Sequence, residues 1–76
     1  MYYFYVLRNI RTKELYYGYT NDLQRRMAEY GKSQPCELIY YEAYKSESDA
    51  RTRERRIKQY AQALTALKLR LKDSLR

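Results

Sequence analysis

The chain has no histidine, no tryptophan, one cysteine, one proline and two glycines among its 76 residues. Without an imidazole there is no His-ligated metal, no Ser-His-Asp or Cys-His nucleophile, and no general base with an intrinsic pKa near neutrality. The lone Cys36 cannot close an internal disulfide, and a cysteine-based zinc site lacks its other ligands. No apolar run approaches the ~18 residues of a membrane span, and the first residues lack the basic-then-apolar layout of a secretory leader. The expectation is a soluble, cytoplasmic protein with no membrane partner. The length points to one domain, residues 1–76.

Branched and large apolar residues are also scarce: nine Leu, three Ile, one Val and one Phe. A charged chain so poor in them falls below the ~20% at which disorder is expected. Eleven tyrosines offset the deficit, since each ring buries on the order of 150–250 Å² and leaves its hydroxyl wet or hydrogen-bonded. Such a core is thin and polar-edged, and it puts phenols near any site that the fold builds.

Charge is distributed unevenly. Sixteen Lys and Arg against nine Asp and Glu leave a net of +7. Residues 1–50 balance, so the whole excess lies in residues 51–76, where Glu54 and Asp73 are the only acids. A basic C-terminal segment on a balanced domain points to an anionic partner, of which nucleic acid is the commonest. A solvated helix face accounts for the same charges.

Tyr2 to Leu7, rich in aromatic and β-branched residues, predicts a strand. Arg8–Glu14 has the polarity of a hairpin loop, and Leu15 to Tyr19 predicts the returning strand, with Gly18 inside it. A glycine there marks a bulge or a close approach to the backbone. Thr20 or Asn21 is expected to cap a helix that runs to Tyr30 and stops at Gly31. Lys32–Glu37 is a loop, and Leu38 to Tyr44 a third strand. Ser46 and Asp49 form a variant capping box, and helical pattern follows almost to the end, with a bend expected at residues 60–63 and a basic helix over 61–76. The fold class is α+β: ββαβα plus a C-terminal helix, with a three-stranded, largely antiparallel sheet.

At about 100° per residue, Ala50, Ile57, Ala61 and Leu64 form the inward stripe of the second helix, and Glu54 falls inside it. A carboxylate on a packing face loses hydration, so Glu54 needs a partner. On the first helix Leu23, Met27 and Tyr30 define the inner face; Arg26 sits at its edge, while Arg25 points nearly opposite. A buried Glu54–Arg26 staple and a site with one acid for a metal and one arginine for a phosphate both fit this pattern. If Phe4, Val6, Leu15 and Tyr17 turn inward, Tyr5 and Tyr16 emerge together beside Gly18 as a small shelf.

Tyr3-Phe4-Tyr5, Tyr16-Tyr17-Gly18-Tyr19-Thr20-Asn21-Asp22-Leu23-Gln24-Arg25-Arg26 and Asp49-Ala50-Arg51-Thr52-Arg53-Glu54-Arg55-Arg56-Ile57-Lys58 resemble the GIY-YIG nuclease superfamily, in its short, single-domain bacterial form. The resemblance covers residues 1 to about 60 and departs at Tyr3 (a glycine in the family), at Tyr17 (an isoleucine) and at Tyr30 (a histidine in many small members). It implies phosphodiester hydrolysis with one divalent ion, Mg²⁺ or Mn²⁺. Tyr5 and Tyr16 are then the catalytic phenols, one of them helping to deprotonate the attacking water. Arg26 steadies the phosphate, and Glu54 binds the metal. Gly18, Arg25, Lys32, Arg51, Arg55 and Lys58 are the expected nucleic-acid contacts.

The expected function is thus a DNA endonuclease, structure-directed or weakly sequence-specific, acting as a monomer or weak homodimer; the resemblance does not choose between duplex DNA and DNA that is branched, flapped or damaged. Two other readings stand beside it: a non-catalytic nucleic-acid binder with the same fold, and a protein-interaction module using the Leu64/Leu67/Leu71/Leu75 stripe.

Overall fold

The computed structural model describes residues 1–76. Its elements run β1 (Tyr2–Asn9), β2 (Leu15–Thr20), α1 (Leu23–Gly31), β3 (Cys36–Tyr44), α2 (Glu47–Gln59) and α3 (Ala61–Arg70). The sheet order is β2-β1-β3 and both pairings are antiparallel. The α+β class and the element order expected from the pattern are therefore observed.

The central strand β1 carries most of the burial. On one face Phe4 and Val6 join Ile57 of α2 and Leu67 of α3 in a fully buried cluster, with Leu15, Tyr17, Leu64 and Leu71 packed around it. Leu64, Leu67 and Leu71 of the C-terminal stripe thus pack onto the sheet. On the opposite face Tyr5 and Leu7 are also buried, because Tyr30 of α1 lies over Tyr5 and Tyr16. Tyr5 and Tyr16 do share this face beside Gly18, but not as a bare shelf. α1 closes it.

β1 continues to Asn9 and β3 begins at Cys36, each two residues beyond the polarity-based boundary. The reason is a cross-strand ion pair. Arg8 stands opposite Glu37 in the register and bonds it at 2.6 Å, and opposite charges facing each other stabilise a ladder that polarity alone would end. The break between α2 and α3 falls at Tyr60, whose backbone is extended, within the expected interval. Two caps differ from expectation. Asp22, not Thr20 or Asn21, caps α1, its carboxylate accepting from the Arg25 N–H at 3.0 Å. Ser46 occupies the N-cap of α2 but makes no side-chain capping bond.

A second polar cluster joins α2 to β3. The Glu42 carboxylate accepts from Tyr40 at 2.7 Å, from Tyr44, and from Arg53 Nε at 2.9 Å. The Arg53 guanidinium also sits 5.8 Å from the centre of the Phe4 ring. Burial alone would raise the Glu42 pKa, but the Tyr44, Tyr40 and Arg53 hydrogen bonds outweigh it and hold the carboxyl below its ordinary value. Burial and then Glu42 push Tyr44 up to about 12. Because the folded carboxyl ionises more readily than the unfolded one, its contribution is complete above the unfolded pKa and is lost as pH falls through the folded value. Glu42→Gln is expected to flatten the decline in stability below about pH 4.5, the region where an ordinary glutamate titrates. Glu42→Ala should cost about 2–3 kcal/mol at neutral pH, since it strands a half-buried arginine. Urea unfolding across pH checks both.

Candidate active site

A cleft of about 530 Å³ opens at the free edge of β2, between α1 and α2. Gly18 forms its floor. A methyl group at that position would lie 2.3 Å from the Tyr5 hydroxyl oxygen, so only glycine lets the Tyr5 ring cross β2 and reach the edge. From α1, Arg26 and Tyr30 enter the cleft together, one helical turn apart, and from α2 Glu54 and Lys58 do the same. Tyr2 of β1 and Tyr17 and Tyr19 of β2 supply its remaining aromatic wall.

Tyr5 is almost completely buried, at 3% exposure. Burial first, then the Tyr30 hydroxyl, raise its pKa well above that of a free phenol; Glu54 adds to this and Arg26 opposes it. Tyr5 is held as a neutral proton carrier. The Glu54 side chain is 22% exposed, with Lys58 Nζ at 3.7 Å as its ionic partner. Arg26 instead pairs with Glu29 on its own helix at 3.6 Å. The buried Glu54–Arg26 staple is therefore absent, and each faces the cleft with a weak, exchangeable partner.

Three of the four expected catalytic side chains, Tyr5, Arg26 and Glu54, share this cleft. The fourth, Tyr16, does not line it. Its hydroxyl donates towards Glu14 at 3.2 Å and Gln34 at 3.3 Å, and its ring stacks on Tyr30 at 5.7 Å. Tyr30, which the helical pattern puts on the inner face of α1, lines the cleft one turn beyond Arg26. Arg25 also lines the cleft, contrary to its position on the helical wheel. Its long side chain folds back along the helix end, bonding Asn21 at 3.2 Å and approaching Glu29 at 3.7 Å.

The remaining expected contacts divide. Lys58 and Gly18 belong to the cleft. Arg51 flanks it, its Nε donating to the Tyr19 hydroxyl at 3.3 Å and its charge centre lying 5.7 Å from the Tyr19 ring centre. Arg55 and Lys32 are exposed outside the cleft. Glu47, two turns before Glu54 on α2, lines the cleft as well and was not foreseen.

A three-stranded antiparallel sheet with tyrosine, arginine and glutamate meeting at one edge defines the class. Residues 1–68 match the model of the GIY-YIG catalytic domain, and the chain belongs to that nuclease superfamily. A UPF0213 protein of Bacillus pumilus (strain SAFR-032) is 40% identical over 65 aligned positions, which take in 74% of this chain and 65% of that protein. The chain thus spans just under two thirds of that relative's length. No solved structure matches the chain. No helix is long and apolar enough to cross a membrane.

Proposed function

We propose that the chain is a cytoplasmic, divalent-metal-dependent endonuclease that hydrolyses DNA phosphodiester bonds in the β2-edge cleft. The observation that carries this reading is the convergence of Tyr5, Arg26 and Glu54 on one cleft, with two further cations, Arg25 and Lys58, loosely paired beside them and one further acid, Glu47. Hydrolysis needs a clamp for the phosphate, a held water and relief for the leaving oxygen.

Arg26 serves as the clamp. Its guanidinium fork matches two phosphate oxygens, and the exposed contact with Glu29 that it gives up is worth only a few tenths of a kcal/mol. The Tyr5 hydroxyl reaches the same cleft across Gly18 and orients the attacking water by a hydrogen bond. Water oxygen then bonds to phosphorus as one ester P–O bond breaks; the water releases one proton to solvent, and the departing oxygen takes one from solvent. Glu54 fits a hard cation: a single partly exposed carboxylate with phosphate and waters satisfies Mg²⁺ or Mn²⁺. Glu54 would hold the ion, with substrate phosphate and waters as further ligands. Bound there, the ion supplies charge stabilisation of the leaving oxygen.

The molecule measures 30 × 27 × 19 Å, less than the ~34 Å of one duplex turn. That leaves little surface for reading base edges, and so favours recognition of DNA form over sequence. The test is an assay on linear, flapped, Y-shaped and four-way DNA, with Mg²⁺, with Mn²⁺ and with chelator. Cleavage confined to the divalent ions is expected; affinity without cleavage under every ion would favour the non-catalytic binder.

The two adjacent arginines separate clamp from grip. Arg26→Ala should lower the single-turnover rate by about 10²–10³. Arg25→Ala should mainly weaken binding and reduce the log–log salt slope by about 0.9. Equal loss of rate in both would contradict the assignment of the clamp to Arg26.

A further inference from the structure

Beyond the cleft, and sharing Asn21 with it, lies a second hollow of about 330 Å³. Its floor is apolar: Tyr3, Tyr41 and Leu23. The two phenol rings meet edge to face with centres 5.9 Å apart, and Tyr41 is 51% exposed, so a broad aromatic surface stays open to solvent. The rim is Asn21, Asp22 and Gln24. Asn21 uses its carbonyl oxygen on Arg25 at 3.2 Å, which leaves its amide hydrogens free to donate.

No lysine or arginine lines this hollow, and the Asp22 carboxylate repels anions from it. A phosphate is therefore disfavoured here, whereas Arg25 and Arg26 favour one next door. An open phenol face with an amide rim suits a planar, neutral, hydrogen-bonding ring. A nucleobase attached to a phosphate held in the cleft is such a ring. Inside a duplex both faces of a base are stacked and its edge is paired, so only an unpaired base can enter.

We infer that the Tyr3/Tyr41 hollow stacks an unpaired nucleobase next to the scissile phosphate, which makes the substrate class DNA with a single-stranded stretch at the cleavage point. This rests on reading the cleft as a phosphodiester site.

The test is binding in chelator, where cleavage cannot interfere. One oligonucleotide carrying a single 2-aminopurine is used alone and annealed to its complement, and the fluorescence quenching that accompanies stacking is followed. The wild type should bind the single strand more tightly and quench the probe. Tyr41→Leu should weaken single-strand binding about 10-fold and abolish quenching. Its duplex affinity and salt slope should stay unchanged, because no phosphate contact is lost. Tyr41→Phe, which keeps the ring, should behave as wild type, and matching thermal melts show that the fold is intact. A wild type that binds both forms while Tyr41→Leu changes neither, or weakens both equally, overturns this inference alone. A wild type that binds neither form overturns the nuclease reading with it.

Discussion

Replacing Glu54 with glutamine is expected to reduce DNA cleavage by about 10²–10³ or more while the protein stays folded and still binds DNA. Glutamine keeps the size of the side chain and removes its charge. The stability cost is small because the partner lost, Lys58 at 3.7 Å, is half exposed and one helical turn away, a kind of pair worth about 0.3–0.5 kcal/mol. Binding should hold or tighten slightly, since a negative charge leaves a cleft that receives phosphates. Single-turnover nicking in Mg²⁺ measures the loss, and a thermal melt with a chelator-based binding assay measures what is retained. A Glu54→Gln protein that cleaves at the wild-type rate would remove the acid from the mechanism.

Gly18→Ala should be the second most damaging change, through a different route. The backbone at Gly18 does not have a positive φ, so alanine is tolerated by the chain itself. What it meets is Tyr5: the added methyl would fall 2.3 Å from the hydroxyl oxygen and 2.6 Å from the ring carbon that bears it. Tyr5 lies nearly buried beneath Tyr30, with ring centres 6.5 Å apart, and cannot swing aside without moving α1. Overpacking of this kind costs about 1–3 kcal/mol. Displacing a catalytic hydroxyl by about 1 Å costs on the order of 10²-fold in rate. Both effects should be seen together, as a lower melting temperature and slower cleavage. In a Tyr5→Phe background the further loss of rate from Gly18→Ala should shrink, because the hydroxyl being displaced is already gone.

Much of this site was legible because alternation and helical spacing are local rules. The aromatic run of β1, the glycine in β2 and the acid among apolar positions of α2 are each visible within a few residues. What was missed depended on alignment across the sheet or on the reach of side chains. Arg8 and Asn9 read as loop because each is polar, and only their register against Glu37 and Cys36 makes them strand. Glu42 passed unnoticed for the same reason: its partners Tyr40, Tyr44 and Arg53 are assembled by the pleat of β3 and the packing of α2.

The arginines and tyrosines of the site show the second limit. A helical wheel places the Cβ of Arg25 away from the domain, yet its guanidinium lines the cleft, because a long side chain at the end of a helix can fold back along it. Strand alternation places Tyr16 and Gly18 on one face, and it does so correctly. It says nothing of α1, which covers that face and turns the Tyr16 hydroxyl towards Glu14 and Gln34. Tyr30 enters the cleft for the same reason.

The most direct test of the central claim is magnetic resonance of the labelled protein titrated with Mn²⁺ beside an oligonucleotide whose phosphates resist cleavage. Paramagnetic broadening should centre on the amides of Gly18, Arg26, Glu54 and Lys58, spare Glu42 and Asp73, and vanish from that cluster in Glu54→Gln. Broadening centred on any other acidic residue, or unchanged in Glu54→Gln, would contradict a hydrolytic site at the β2 edge.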